Sequence, residues 1–516
     1  MGSLFSRLLP HRAKRVSTAP GPTTPPPPRT PAETQSEFVT ALSHAGIKGG
    51  IKTPGHIDYD IDTIPWNLRC APKPVAVLYA SNPKDVQLAV QVAAKFGIPI
   101  QPRSGGHSFA SYSLGGRSGA LVIDLAALND VHVDQKTWRA TIGGGTRLDK
   151  VTKELFAQGK RTIAHGTCPQ VGIGGHATIG GQGPLSRMYG LCLDHVVEVE
   201  VVVADGSIVR ANGSKNSDLF WALLGAAASF GIITSFVFET HPAPTTVTHY
   251  SFQLTIGSPS ELAAAFMAWQ SFVSSPVVVN DRQFNSIVNI LKGGILVQGT
   301  RFGTQAELEA SDAHIEMCKL FKVDVDIKQL DWLASILFWA TNEVYTISGG
   351  VSIPAYMKSF VVRQSTPLPI TAVESWFKYM NRHHAPPDST FVIVADLQGG
   401  RTSDFANDAT AYAHRDALYT VCIYGLATLP FPDDVLAFLS GMVDSVADAT
   451  PDITYGVYPG YVDPLIPKSK WPTQYWGSNY PRLLQIKNKY DPKHVFANPQ
   501  SVGSESDFAG TAPLSP

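Results

Sequence analysis

The segment GTCPQVGIGGHATIGGQGP, residues 166–184, excludes more folds than any other stretch of this chain. Gly180, Gly181, Gly183 and Pro184 lie too close together for a helix to continue through them, because glycine loses the most backbone entropy on ordering. Such a run supplies a surface where backbone N–H groups can converge, of the kind suited to phosphate oxygens. It also matches G-x-G-x-x-A at Gly172, Gly174 and Ala177, the dinucleotide fingerprint of nicotinamide enzymes. That fingerprint needs a strand before it and a helix after it. Here HGTCPQV precedes, and further glycines with Pro184 follow, so the match is rejected. Asp194, at a tempting distance, precedes a Val-rich strand instead of ending one.

A second glycine turn closes a unit that reads as strand, helix, strand. Residues 75–80 are an apolar run; Asn82 is placed to cap a helix, with Pro83 at its first position and Asp85 in its first turn. Val86, Val90 and Ala93 share a face, and Gly97 then Pro99 stop the helix. The next strand runs straight into Arg103, Ser104, Gly105, Gly106, His107 and Ser108. Consecutive glycines let N–H groups converge on one point, a nest suited to phosphate oxygens, and Arg103 and Ser104 add donors. A phosphate-bearing cofactor is the functional reading; an ordinary glycine-rich loop is the plain one.

Further along, GALVIDLAALN and WRATIGGGT are strand-like, and VVEVEVVVADGSIVRAN is a hairpin turning at Asp205-Gly206. From about Thr246 the pattern changes. HYSFQLTI, GGILVQGTRF, TFVIVADLQGG and ALYTVCIYGLA read as strands, with helices SELAAAFMAWQSFV and DDVLAFLSGMVDSV between them. This predicts a second α+β domain whose sheet roofs a cavity. The C-terminal YWGSNYPRLLQIKNKYDPKHVFANPQSV is a helix with a Pro-punctuated tail, and no internal repeat is found.

At 516 residues, two large domains, or three small ones, are expected. A net charge of −1, without basic clusters in the body of the chain, argues against a nucleic-acid partner. No apolar run reaches the ~20 residues of a membrane-spanning helix. Five scattered cysteines form neither a disulfide framework nor a ribbon-type zinc site. The N-terminus lacks a secretory h-region, so a cytoplasmic location is expected. Its MGSLFS start fits N-myristoylation at Gly2, with Arg7, Arg12, Lys14 and Arg15 as an electrostatic second signal for peripheral membrane attachment; a solvated tail is the plain reading.

PRSGGHSFASYSLGG, GTCPQVGIGGHATIGGQG, LDHVVEVEVVVADGS, DLFWALLG and the C-terminal segment occur in the order found in the berberine-bridge-enzyme-like branch of the vanillyl-alcohol-oxidase flavoproteins. Within that branch the chain resembles the fungal oligosaccharide oxidases, over residues 71–502. The resemblance implies an α+β fold: a PCMH-type FAD-binding domain at 46–245, a substrate domain at 246–450 whose antiparallel sheet roofs the flavin, and a segment 451–502 returning to the FAD domain. Residues 1–45 and 503–516 are expected to be tails, and the protein a monomer.

In relatives with both motifs, the histidine of SGGH bonds the flavin 8α-methyl carbon and the cysteine of GTCP bonds flavin C6. The resemblance therefore implies FAD held covalently through His107 and Cys168, an electron-poor ring having accepted an imidazole and a thiolate. It extends the cofactor surface to Arg103, Ser104, Gly105, Gly106, Ser108, Val171, Gly172, Gly175, His176 and Gly183. Valine at Val171 is the residue with which relatives leave room for dioxygen. YPGYVDPLI resembles the segment that furnishes an active-site tyrosine; Tyr458 and Tyr461 both match, and the sequence does not choose between them. ADLQGG resembles the strand end whose aspartate partners that tyrosine in relatives, which maps to Asp396. A tyrosine of pKa near 10 is a poor base and a neighbouring carboxylate raises it further, so Asp396 helps only by accepting a proton or a hydrogen bond.

The implied reaction is oxidation of an alcohol or hemiacetal carbon of a small molecule, C1 of a carbohydrate first among them, with dioxygen reduced to hydrogen peroxide. Departures bear on the sugar. Phe109 and Gln182, expected at the substrate, stand where oligosaccharide oxidases carry tyrosine and an aromatic, and Gly460 replaces an asparagine. A secondary-metabolite oxidase forming a ring or double bond is the first alternative, and a catalytically silent flavin carrier the second. A zinc site from His165, Cys168, His176 and His195 fails on spacing, so no metal is expected.

Overall fold

A computed structural model describes residues 31–291, 294–342 and 351–504. The fold is α+β, built around three principal sheets. The first has strands in the order Gly50–Lys52, Ala76–Tyr79, Leu121–Asp124 and Ile100–Arg103, parallel except for the first pair. Its helix Pro83–Phe96 starts where the sequence puts it: the Asn82 side chain accepts from the Asp85 N–H, and Gly97 ends it in a left-handed conformation at φ 66°. The strand Ile100–Arg103 then delivers the chain into the Ser-Gly-Gly-His turn.

The expected N-terminal tail is corrected in part. Pro31–Ser43 forms a helix, because Phe38 and Leu42, one helical turn apart, are fully buried and Phe38 meets Phe96 edge to face at 5.9 Å. The proline-rich run just before it masked this short amphipathic stretch. Gly2 and the basic residues after it, and residues 505–516, lie outside the described residues.

The second sheet orders Val131–Val133, Arg139–Gly143, Ile232–Glu239, Val196–Val202 and Ile208–Asn212, all antiparallel, with the predicted hairpin turning at Gly206 (φ 84°). The C-terminal helices Trp471–Trp476 and Tyr480–Tyr490 pack into the core beneath it, burying Trp471, Tyr475 and Leu483. Lys487, completely buried, is tied to Asp491 at 2.6 Å and to the carbonyls of Ser229 and Phe496.

The third sheet is antiparallel and seven-stranded: Asp326–Leu330, Val247–Thr255, Gly294–Phe302, Ile287–Leu291, Thr390–Leu397, Ala417–Leu426 and Ala355–Arg363. Helices Pro259–Val273, Ile370–Arg382 and Asp433–Asp448 cover one face with an aromatic core around Trp269, Trp376 and Tyr419. The other face, carrying Ile287, Met357, Val394, Cys422 and Tyr424, looks toward the glycine turns. Ala417–Leu426 is therefore apolar on both sides, as a doubly covered strand must be. Among the described residues no helix is long and apolar enough to cross a membrane.

Candidate active site

A cavity of about 430 Å³ lies between the glycine turns and the seven-stranded sheet. Its floor is two backbone segments in contact. A β-carbon built on Gly105 would stand 2.3 Å from the Gly172 nitrogen and 2.5 Å from the Gln170 carbonyl oxygen, so only glycine lets the two turns meet. Ser104 fastens them: its hydroxyl donates to the Gly144 carbonyl (2.7 Å) and accepts from the Gly174 N–H (3.4 Å). This contact brings His107 and Cys168 to the same cavity from segments far apart in sequence.

His107 is half-buried, and desolvation with the nearby Arg147 charge lowers its pKa to about 4. The imidazole is neutral at pH 7 and keeps a nucleophilic nitrogen. Trp66 lies over it, ring centroids 5.4 Å apart. The Cys168 thiol is partly exposed and reaches toward Gln170 Oε1 at 3.7 Å. Val171 lines the cavity beside it, its N–H donating back to the Cys168 carbonyl at 3.3 Å.

The roof carries Asp396. On strand Thr390–Leu397 it faces Ile287 on one neighbouring strand and Thr420 on the other. Burial raises its pKa to about 7, against the pull of the Gln398 amide hydrogen bond (3.3 Å) and the Arg187 charge. Tyr458 is buried with its hydroxyl oxygen accepting from the N–H groups of Gly181 (3.1 Å) and Gln182 (3.4 Å). Burial pushes it up to about 12, which those two bonds oppose. Tyr461, on the turn Pro459–Tyr461, is half buried with its ring 5.0 Å from Tyr458 and 6.1 Å from Phe109. Gln182 Nε2 donates to Thr420 Oγ1 (3.2 Å) and toward the Tyr412 hydroxyl (3.4 Å).

All but one of the residues expected at the site line this cavity. The exception is Arg103. Its guanidinium is spent on the Asp124 carboxylate, the Asp62 carbonyl (2.6 Å) and the Tyr79 hydroxyl (3.2 Å), so the cofactor-donor role is corrected to a brace beneath the turn. Two others line the cavity with one side-chain polar atom each already engaged. His176 Nε2 accepts from the Gly166 N–H at 2.9 Å, and the Ser108 hydroxyl accepts from the Tyr112 N–H at 3.0 Å. The zinc-site histidines are likewise engaged: His165 with Thr152 (3.0 Å) and His195 with His241 (3.2 Å). Asp194, the acid that followed the rejected dinucleotide fingerprint, has its side chain buried in an ion pair with Arg415 at 2.8 Å.

Trp66, Asn285, Trp339, Met357 and Tyr424 also line the cavity and were not found from sequence. Tyr424 had a usable signal: on a strand, Thr420, Cys422 and Tyr424 fall on one face with a period of two. Trp66 and Trp339 had none.

The cradle fits a flavin dinucleotide. The N–H groups of Gly105, Gly106 and His107 have no protein acceptor among the described residues, and a β-carbon on Gly175 would meet nothing within 4 Å. Convergent backbone donors in a glycine-lined space suit a pyrophosphate, and the wide cavity between floor and roof suits a tricyclic ring.

Comparison with known proteins agrees. Residues 74–212 match the FAD binding domain model and residues 457–503 the berberine and berberine-like model. The FAD-linked oxidoreductase sorD of Penicillium rubens is 36% identical, over 90% of this chain and 98% of that protein. The xylooligosaccharide oxidase of Myceliophthora thermophila C1, solved with xylobiose, superposes with a TM-score of 0.84 at 31% identity, covering 90% of this chain and 98% of that one. A glucooligosaccharide oxidase of Acremonium strictum, described as carrying a 6-S-cysteinyl, 8α-N1-histidyl FAD, gives 0.83 at 30% identity, covering 90% and 99%.

Proposed function

The chain belongs to the berberine-bridge-enzyme-like FAD-linked oxidoreductases, and from that premise we propose an oxidase that holds FAD through His107 and Cys168 and oxidises a hydroxyl-bearing carbon of a small, mainly apolar molecule. The observation that carries this reading is the convergence of His107, Cys168, Asp396 and Tyr461 on one cavity. When bound, FAD would be held by His107 and Cys168 and would supply a two-electron acceptor that dioxygen can reoxidise, with hydrogen peroxide as the by-product.

The protein's own groups handle the proton. Asp396, titrating near neutrality, is suited to accept the hydroxyl proton and to release it again. Tyr458, its oxygen engaged by two backbone donors, orients the neighbouring turn. Tyr461 presents its ring to the cavity beside Phe109 and is the tyrosine assigned to the substrate hydroxyl. The neutral His107 is ready to bond the flavin without first losing a proton.

The wall facing the flavin surface decides the substrate class. Ile287, Trp339, Met357, Val394, Cys422 and Phe109 offer an apolar body-binding surface with few acceptors for a polyol. This favours a secondary-metabolite alcohol. Oxidation at C1 of a carbohydrate is the second reading, supported by the likeness to solved oligosaccharide oxidases. Peroxide release from the holoenzyme separates them when oligosaccharides, xylobiose included, are screened beside benzylic and polycyclic alcohols. Silence on every sugar abandons the carbohydrate reading, and turnover of sugars alone abandons the apolar one. Flavin colour that washes out of acid-precipitated protein would remove the covalent assignment.

A further inference from the structure

Arg187 lies on the one-turn helix Ser186–Tyr189, directly after the glycine segment that floors the cavity, yet its side chain crosses into the seven-stranded sheet. It is 4% exposed. Nε donates to the Phe284 carbonyl (2.8 Å), Nη1 to the Gln398 carbonyl (2.5 Å), and Nη2 to the carbonyls of Val278 (2.7 Å) and Asp281 (3.2 Å). Those acceptors sit at the entry to strand Ile287–Leu291 and the exit of strand Thr390–Leu397. The two strands pair with each other, and their Ile287–Asp396 pair is the part of the roof above the site.

The contact is close on both sides. A β-carbon on Gly400 would stand 2.4 Å from the Arg187 carbonyl oxygen, and Thr402 donates to the Ser186 carbonyl at 3.2 Å. Arg187 forms no ion pair among the described residues; the Asp281 carboxylate is held by Arg301 at 3.0 Å. A cross-link alone needs no charge, and a buried charge without a carboxylate partner is costly. Its field falls on Asp396, whose carboxyl Gln398 also contacts through its amide.

We propose that Arg187 is a positioning residue for the reaction: it clamps both strands around Asp396 to the flavin-side glycine segment and fixes a positive charge on the carbonyl of Gln398, whose amide contacts that carboxyl. This rests on the reading that Asp396 accepts the substrate proton. The charged and titratable groups around the pair are few. Arg187 and Tyr458 act on Asp396, while Asp281, Arg282 and Tyr250 act on Arg187.

The test is an infrared titration of the holoprotein, following the carbonyl band of the protonated carboxyl that is absent from Asp396→Asn. Arg187→Met should move the midpoint up by about one pH unit, because an attractive charge has been removed. Arg187→Gln, which keeps donors, covers the case in which the methionine protein does not fold and should shift the same way. Arg187→Lys should keep the midpoint near that of the parent. A parental midpoint in a folded neutral variant, or a raised one in the lysine variant, overturns the proposal. The titration needs no substrate, so failure of the functional reading is separable: Asp396→Asn releasing peroxide at the parental rate would remove Asp396 from the reaction and leave any Arg187 shift standing.

Discussion

Gly172 packs so tightly on Gly105 that a β-carbon at Gly172 would stand 2.1 Å from the Gly105 nitrogen and 2.2 Å from the Ser104 hydroxyl oxygen. The floor of the cavity is thus backbone against backbone, with the Ser104 side chain wedged beside it and tied to the Gly144 carbonyl. Everything that must meet the flavin from two directions hangs on that contact.

Gly172→Ala should therefore separate the two turns. Overpacking of this kind costs about 1–3 kcal/mol where the structure relaxes, and here the loss should appear also as reduced flavin content. Urea unfolding, read beside the ratio of visible flavin absorbance to protein absorbance, checks both. A fully loaded alanine variant of parental stability would refute the contact.

Removing one tether at a time should leave flavin attached through the other. His107→Ala and Cys168→Ala are each expected to remain yellow after acid precipitation, while the double variant loses its colour to the supernatant. The two single variants should differ in their visible spectra, since a sulfur on the ring perturbs it differently from a nitrogen on its methyl carbon.

Asp396 makes stability depend on pH with a definite sign. Its pKa is raised from 3.8 to about 7 by burial, so the folded state holds the proton more tightly than the unfolded one. Its contribution is complete below about pH 4 and is lost as pH rises through 7. Asp396→Asn should flatten that slope and be more stable than the parent at pH 8, by on the order of a few kcal/mol, while turnover falls. Thermal unfolding across pH 4 to 8, in steps of about one unit, measures it; a parent and variant with parallel profiles would contradict the burial argument.

Lys487 and Asp491 form a completely buried pair at 2.6 Å that pins the C-terminal helix to the carbonyls of Ser229 and Phe496. Lys487→Met leaves the Asp491 charge unmatched and should cost about 3–5 kcal/mol. The double variant Lys487→Met with Asp491→Leu should recover part of that loss, as chemical denaturation would report.

The local elements were legible because local rules made them. Asn82, Pro83 and Gly97 delimit a helix by capping and by a left-handed stop, and the Asp205-Gly206 turn folds a Val-rich hairpin. Strands Ile287–Leu291 and Ala355–Arg363 escaped because their apolar runs carry no turn signal strong enough to separate them from helix, and Asp326–Leu330 because DIKQL has no apolar run at all. Arg103 was misread for a related reason: a donor beside a nest looks like a ligand until Asp124, one strand away, is seen to hold it.

By itself the sequence determined the chemistry available: a histidine directly after a glycine pair, a cysteine ahead of a glycine run, a tyrosine pair, and an aspartate at the end of an apolar strand. Tertiary structure alone decided which of these share a space and in what ionisation state. Only packing brings Gly105 against Gly172, sinks Asp396 into a low-dielectric roof, and carries Arg187 across from the flavin side to grip it. The physical reason is that burial and through-space charge depend on neighbours distant in the chain, which residue order does not encode locally.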